Sequence, residues 1–139
     1  MQGYAGLFDA LVLCKFLIHS GVHPSLIAEG LASITGFDYD LNKLMEAGER
    51  IFNLKRAYNY RCGVGTRDHD KLPKIVQIPL KEGGAKGYVP NIEPLLDEYY
   101  KLRGWNEKGI PTHEKLKELG LEDIAEDIWK RCSEDEDKN

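Results

Sequence analysis

The feature that most constrains this chain is an apolar stripe of helical period within residues 38–73. At about 100° per residue, one broad arc holds Leu41, Leu44, Met45, Ala47, Ile51, Phe52, Leu54 and Tyr58. The arc covers roughly half of the circumference, which predicts the longest helix of the chain, packed against more than one neighbour. We expect Asp38 or Asp40 to cap its start, because a short side-chain oxygen accepts from free backbone N–H groups.

Two residues interrupt this apolar arc. Gly48 predicts the close approach of another backbone, since it has no side chain. Lys55 is either a buried charge or a side chain that extends along the apolar surface to place its ammonium group in water, and the second is the commoner arrangement. The opposite side of the helix is predicted to be polar and to carry two pairs, Glu46 with Arg50 and Glu49 with Asn53.

Apolar spacing predicts further helices on both sides of this one. They are expected over Leu7–Ile18, Pro24–Ile34, Pro90–Leu102, from Pro111 onwards and over Leu121–Cys132. A Gly- and Pro-rich stretch, from about Arg61 to Pro90, predicts a long loop. The predicted fold class is therefore all-α, an irregular helical domain of about five or six helices over residues 1–132. An acidic disordered tail is expected over residues 133–139.

The later helices are each assigned a buried face. One face of the Pro90–Leu102 helix is predicted to hold Ile92, Leu95, Leu96, Tyr99 and Leu102. Gly104 is expected to end that helix and Trp105 to pack back onto it. In the following helix, Leu116 and Leu119 are predicted to point inward.

Composition excludes several classes of function. The net charge of −4 argues against a nucleic-acid surface, which is usually basic. No apolar run reaches the length of a membrane span, because Lys15 and His19 interrupt the first one. No secretory signal is recognisable at the amino terminus. Three cysteines, an odd number, do not suggest a disulfide framework, so a cytoplasmic protein is expected.

The first apolar segment, Leu7–Ile18, is apolar nearly all round and predicts a buried helix or helix end. Because so little chain precedes it, we expect its packing partner to lie outside this sequence, which would make the chain a fragment. Cys14, His19 and His23 form a loose zinc-like set, but no fourth ligand follows nearby. Capped or solvent-facing histidines are the simpler interpretation.

The loop after the long helix carries several charges. His69 with Asp68 or Asp70 has the composition of a base and its orienting carboxylate. Adjacent residues rarely aim at one point, so a solvated cluster of salt bridges is the favoured interpretation.

Two stretches have a recognisable pattern: GERIFNLKRAYNYRCGVGTRDHDKLPK over residues 48–74, and PLKEGGAKGYVPNIEPLLDEYYKLRGWNEKGIPTHEKLKELGL over residues 79–121. The order of E-R-I, N-L, R, L-P, P-L, L-L-D-E-Y-Y, R-G-W, G-x-P and L-G-L resembles the carboxy-terminal domain of the tungsten-containing aldehyde ferredoxin oxidoreductases. This resemblance runs from about Asp9 to Leu121.

The resemblance assigns roles to a short segment near the start. Residues 9–14, DALVLC, are similar to the family's second cofactor motif, D-x-x-G-L-C. By this resemblance, Asp9 hydrogen-bonds a pterin of the tungsten bis-pterin cofactor, Leu13 lies beside the cofactor and Cys14 is the last ligand of a 4Fe–4S cluster. Val12 stands where the family has glycine, a residue that usually indicates an unusual dihedral or a close backbone approach.

The resemblance also shows what this sequence does not contain. The other three cluster ligands of the family lie in an upstream C-x-x-C-x-x-x-C run, which is missing here. One cysteine is too few for a 4Fe–4S cluster, so the isolated chain is expected to be inactive and free of cofactor. No catalytic residue is assigned to it.

Two functions remain in competition. The first is the carboxy-terminal part of an enzyme that oxidises aldehydes to carboxylic acids and passes electrons through the 4Fe–4S cluster to ferredoxin, as the resemblance implies. Its partners would be the remaining domains and ferredoxin. The second is a stand-alone helical binding module that kept the fold and lost catalysis. In either case some apolar groups of Leu7–Leu17 should be exposed or buried by self-association, since they are too many for one helix face.

Overall fold

A computed structural model of the protein describes residues 2–136, with side chains described as far as Cys132. Within that range the chain is helical and has no sheet, which confirms the all-α prediction. The described part contains seven α-helices rather than five or six, because the predicted Leu7–Ile18 helix is split in two. The helices are α1 Gln2–Ala10, α2 Phe16–His19, α3 Pro24–Thr35, α4 Leu41–Arg61, α5 Glu93–Arg103, α6 His113–Glu118 and α7 Glu122–Glu136.

The long helix α4 begins as its sequence predicts. Asp40 occupies the N-cap position, and its carboxylate accepts from the backbone N–H of Lys43 at 2.8 Å. Of the two candidate caps, Asp40 is therefore the one used. Glu46 and Arg50 also form the predicted pair, with 3.2 Å between the carboxylate oxygen and Nη2.

Helices α1 and α4 are in backbone contact through two glycines. A Cβ atom added to Gly48 would lie 2.7 Å from the carbonyl oxygen of Gly3, closer than side chains tolerate. This confirms that Gly48 admits another backbone. The contact brings the apolar face of α1 onto α4 and α3, where a first core forms from Tyr4, Leu7, Phe8, Ala28 and Leu44.

A second buried region contradicts part of the α4 prediction. Asn53, expected on the polar side, is fully buried. Its side-chain oxygen accepts from Trp105 Nε1 at 2.8 Å, and its amide donates to the carbonyl of Glu49 at 2.9 Å. The prediction was wrong because the buried indole N–H of Trp105 needs a hydrogen-bond acceptor, which the side chain of Asn53 supplies. Since the amide of Asn53 also donates to a carbonyl of α4, neither side chain is left without a hydrogen bond.

Helix α5 also uses a different face from the predicted one. Leu95 and Leu102 are 62% and 78% exposed, whereas Tyr100 is 2% exposed. The buried face is turned toward Tyr100 because that ring packs near Trp105, with 5.8 Å between centroids. Gly104 ends the helix in the left-handed conformation, and Trp105 packs back as predicted.

The last two helices complete the second core. Leu116 and Leu119 are buried, as predicted, and Ile128 of α7 is buried with Ala57 and Ile110. Helix α7 runs through Glu136, so the first four residues of the expected acidic tail are helical. Residues 137–139 lie outside the described part, and the domain limit at residue 132 stays a prediction.

The connection between α4 and α5 is irregular, as its composition predicts. It contains two 3-10 turns, Arg67–His69 and Lys74–Gln77. Residues 73–89 are exposed throughout. Among the residues that the structure describes, no helix has the length and apolar character needed to cross a membrane.

Candidate functional site

The D-x-x-G-L-C-like segment forms a turn between α1 and α2. Helix α1 ends at Ala10, and the chain then folds back so that the N–H of Leu13 donates to the carbonyl of Phe8 at 2.8 Å. Leu7–Ile18 was predicted to be a buried helix or helix end, and the structure has the end of α1 within it, so the interpretation as a single helix was wrong. The turn, residues 11–15, is called the cofactor turn below, after the role that the sequence motif predicts for it.

The break coincides with an unusual backbone conformation at Val12. Its φ is 56°, and it is the one non-glycine residue with positive φ among those described. A β-branched side chain rarely adopts this left-handed conformation, which costs about 1–2 kcal/mol for an L-residue. The similar family motif has glycine here, so the backbone at this position has the conformation that a glycine allows.

Asp9 lies at the last turn of α1, beside the cofactor turn. Its carboxylate is about half exposed, with Oδ1 2.9 Å from Lys15 Nζ and Oδ2 3.5 Å from Lys55 Nζ. The hydrogen bond from Lys15 lowers the pKa of Asp9, and the charge of Lys55 acts in the same direction. Lys55 has its ammonium group at the surface, which confirms that it extends outward from the apolar arc.

Of the remaining motif residues, Leu13 is packed against the domain, and Val12 and Cys14 are exposed. Leu13 packs against the first core and fixes the turn to the domain. Cys14 is exposed and carries a free thiol. Val12 and Phe16, on either side of it, are 91% and 78% exposed, whereas Leu7 and Phe8 are buried. The expectation that some of these apolar groups are exposed is confirmed.

The cofactor turn and the adjoining end of α1 therefore display one thiol, Cys14, and one carboxylate, Asp9, on the surface of the domain. These are chemically suitable donors: a carboxylate accepts from the N–H groups of a pterin, and a thiolate binds iron. Among the described residues, no three His, Cys, Asp or Glu side chains lie close enough together to hold a metal ion. The donors thus fit a part of a cofactor site, and Cys14, His19 and His23 are not brought together.

The charged loop after α4 does not pair His69 with a neighbouring aspartate. The Nδ1 of His69 lies 2.9 Å from the hydroxyl of Thr66, and Asp68 lies 3.7 Å from Lys71. Asp70 instead turns inward to α4 and α5. This loop is the predicted cluster of salt bridges, and one member of the cluster is partly buried.

Asp70 is held by two helices. Arg56 Nη1 donates to its Oδ1 at 2.9 Å, and the hydroxyl of Tyr100 donates to its Oδ2 at 2.5 Å. Burial acts to raise the pKa of Asp70, but the bonds from Arg56 and Tyr100 outweigh it and the pKa is lowered. Burial, and then the bond to Asp70, raises the pKa of Tyr100 to about 12. The trio joins the loop to the domain.

The residues of the recognisable pattern largely contact one another. Arg103 of R-G-W donates to both carboxylate oxygens of Glu49 of E-R-I at 2.7 Å. Its guanidinium also lies over the Phe52 ring, 4.1 Å from the centroid. Arg50 donates to the carbonyl of Leu119 at 2.6 Å. These motifs thus form the frame that holds α4, α5 and α6 together.

Comparisons with known proteins show which family this chain belongs to. The sequence family described as aldehyde ferredoxin oxidoreductase, domains 2 & 3, matches residues 1–121. The chain belongs to the aldehyde ferredoxin oxidoreductase family. A tungsten-containing aldehyde ferredoxin oxidoreductase of Pyrococcus abyssi is 39% identical over 124 residues, which are 88% of this chain and 20% of that relative. An aliphatic sulfonate oxidoreductase, WOR-like subunit, of Pyrococcus furiosus is 30% identical over 141 residues, with 91% of this chain and 22% of that relative covered.

A solved relative of this family member shares its fold. The active-site complex BamBC of benzoyl coenzyme A reductase, in complex with 1,5-dienoyl-CoA, aligns with a TM-score of 0.65 and 34% identity. The alignment covers 79% of this chain and 16% of that one. The chain thus spans about a fifth of the length of the relatives it matches. The match is therefore to one part of these larger oxidoreductases.

Two members of the site were missed by reasoning from the motif alone. Lys15 follows the motif directly, and Lys55 lies 46 residues after Asp9 in the chain. The one available signal was the position of Lys55 inside an apolar arc. That signal indicated an unusual lysine but not its partner.

Proposed function

We propose that this chain is the cofactor-facing carboxy-terminal part of a tungsten–pterin oxidoreductase that oxidises aldehydes to carboxylic acids. In this proposal Asp9, Leu13 and Cys14 contribute to the cofactor site, and electrons leave through a 4Fe–4S cluster to ferredoxin. The observation that carries the proposal is the exposed cofactor turn. It holds Cys14 at the surface beside Asp9, is anchored by Leu13, and has at Val12 a positive φ of the kind that glycine, the residue of the similar family motif, allows.

The reaction adds a water oxygen to the aldehyde carbon and releases two electrons and two protons. The tungsten–pterin cofactor supplies the redox chemistry when it is bound, and the protein positions it and limits access. Asp9 would accept a hydrogen bond from a pterin N–H group, which requires an ionised carboxylate. An aspartate of ordinary pKa is already ionised at neutral pH, and the bond from Lys15 lowers the pKa of Asp9 further.

Cys14 would contribute one iron ligand as its thiolate. The exposed position of the thiol supports this role, because a ligand to a cluster shared with other domains must lie at the surface of this one. Val12 and Phe16 flank it with exposed apolar groups. Covered by the other domains, they would exclude water from the site.

The proposed partners follow from the number of thiolates that a 4Fe–4S cluster needs. Three further thiolates are needed for a 4Fe–4S cluster, and the chain spans about a fifth of the length of its relatives. The remaining domains of such an oxidoreductase are therefore the proposed partner, with ferredoxin as electron acceptor and the reducing cytoplasm as location. The isolated chain is expected to be inactive.

The relatives support the reaction class more strongly than the substrate. Four curated relatives are named tungsten-containing aldehyde ferredoxin oxidoreductases, at 36–39% identity. The sulfonate oxidoreductase subunit and the benzoyl coenzyme A reductase complex are named for other substrates. We assign aldehydes because the relatives of higher sequence identity carry that name.

The experiment is to express the chain with an affinity tag in its native host, under anaerobic conditions with tungstate, and to isolate it with whatever remains bound. Tungsten, iron and acid-released pterin are measured per chain, together with aldehyde-dependent reduction of a viologen dye. The proposal predicts stoichiometric tungsten, about four iron atoms and turnover. A chain isolated alone and without these components contradicts it and favours the stand-alone binding module.

A further inference from the structure

Lys55 is an unusual residue for its position on α4. Its neighbours along the arc are apolar, and its ammonium group reaches the carboxylate of Asp9, 46 residues earlier in the chain. Lys55 Nζ lies 3.5 Å from Oδ2, while Lys15 Nζ lies 2.9 Å from Oδ1. Each oxygen of this carboxylate therefore faces one lysine, and the two lysines come from different elements.

These ion pairs contribute little to folding. The side chains of Lys15 and Lys55 are each 57% exposed, and that of Asp9 is 49% exposed. Exposed pairs of this kind are screened by solvent and often have no measurable effect on stability. Stability therefore does not explain the convergence of two lysines on one carboxylate, and the contact points to the orientation of Asp9.

We propose that Lys55 is a positioning residue for Asp9. It fixes the carboxylate from the side of α4, while Lys15 fixes it from the cofactor turn. An ionised carboxylate has about four acceptor positions, so two lysines leave two for a ligand. This inference rests on the proposed function, in which that ligand is a pterin N–H group.

The arrangement is more specific than a single ion pair. Held at one oxygen only, the carboxylate could rotate about χ1 and χ2 and present its free lone pairs in several directions. A second cation on the other oxygen, on a side chain that starts from helix α4, favours one orientation of the carboxylate. At 3.5 Å this contact is longer than a charge-assisted hydrogen bond, so Lys55 acts on Asp9 mainly through its charge.

The test uses the complete chain and three variants: Lys55→Met, Lys55→Arg and the control Lys43→Met. Lys43 is matched because it also lies on α4 and also pairs with an aspartate, Asp38, at 2.7 Å. Carbon-detected NMR follows the Asp9 carboxyl through a pH titration, and three-bond couplings report its χ1 rotamer. Thermal unfolding is recorded for each variant.

The proposal predicts that Lys55→Met raises the titration midpoint of Asp9 and averages its χ1 couplings, with the unfolding temperature unchanged. Lys55→Arg should restore a single rotamer, and Lys43→Met should leave Asp9 as in the parent. Unchanged Asp9 couplings and midpoint in Lys55→Met would overturn the inference, and so would an equal change in Lys43→Met.

These measurements need no cofactor, which separates them from the test of the proposed function. Absence of tungsten and pterin from the tagged chain would contradict the proposed function while the Asp9 couplings still decide the role of Lys55. Within a loaded complex, Lys55→Met is expected to lower the pterin content and Lys55→Arg to retain it.

Discussion

Replacement of Val12 by glycine should make this chain more stable. Val12 adopts φ 56°, where a non-glycine residue is strained by about 1–2 kcal/mol. Glycine relieves this strain but has more conformational freedom in the unfolded chain, which costs about 0.5–1 kcal/mol. Because the valine side chain is 91% exposed, its removal loses almost no apolar burial.

The balance of these effects is a stabilisation of about 0.5–1 kcal/mol. For a chain of this length, that corresponds to a rise in Tm of about 2–4 °C. The assay is urea unfolding of parent and Val12→Gly followed by circular dichroism, with a thermal scan as a second measurement. The slope of the unfolding free energy against urea concentration should not change, since the exposed area is the same.

Val64→Gly provides the matched control. Val64 is also partly exposed and lies in a connection, but it is not among the described residues with positive φ. There glycine relieves no strain, so a loss of about 1 kcal/mol is expected. If Val12→Gly destabilised the chain as Val64→Gly does, the claim that Val12 is strained in its left-handed conformation would be refuted.

Three further predictions concern the packing and the buried polar contacts of the domain. Gly48→Ala should destabilise the chain by about 1–3 kcal/mol in urea unfolding, because its methyl group would meet the backbone of α1; Gly30→Ala, in open space on α3, should instead stabilise it by about 0.5–1 kcal/mol. Asp70→Asn should lower stability at pH 7 by about 2 kcal/mol, because it weakens charge-assisted bonds. The folded pKa of Asp70 lies below its unfolded value. Its contribution to stability is therefore present above about pH 4 and is lost as the pH falls through the folded pKa. The free energies of unfolding of parent and variant should then converge in acid. Asn53→Ala should cost about 1–3 kcal/mol by leaving the buried indole N–H of Trp105 without its acceptor, and equilibrium unfolding that matches the parent would contradict this.

Helical periodicity predicted most of the fold, because apolar spacing and caps are local signals. Asp40 caps the start of α4 and Gly104 ends α5, as their side-chain chemistry and backbone freedom predict. The break at Val12 could not be predicted from the residues alone, since valine does not favour a left-handed conformation. The resemblance to D-x-x-G-L-C contained the missing signal, in the glycine that valine replaces.

Buried polar groups were the second source of error. Asn53 was placed on the polar side because periodicity cannot distinguish a solvated amide from one that satisfies a buried indole. Tyr100 was likewise passed over for its neighbour Tyr99, because both fit an apolar face and only contacts across the chain select one. The local spacing of apolar residues does not indicate such long-range contacts.

The sequence predicted which segment forms the candidate site, but not how the side chains of the site are arranged. The motif located Asp9, Leu13 and Cys14, but nothing in the local sequence joined Asp9 to Lys55 on a distant helix. Similarly, the pattern that identified the family proved to consist largely of frame residues such as Glu49 and Arg103. Sequence similarity therefore identified the domain through its scaffold rather than its chemistry.

The most direct test of the central claim is the iron content of the tagged complex when Cys14 is replaced by serine, with Cys62→Ser as control. Both thiols are exposed and free, so the two substitutions perturb the fold to a similar extent. The account predicts that Cys14→Ser loses the iron and the electron paramagnetic resonance signal of the reduced 4Fe–4S cluster, while Cys62→Ser retains both. A complex with full iron content and an unaltered cluster signal in Cys14→Ser would contradict the assignment of this turn to the cofactor site.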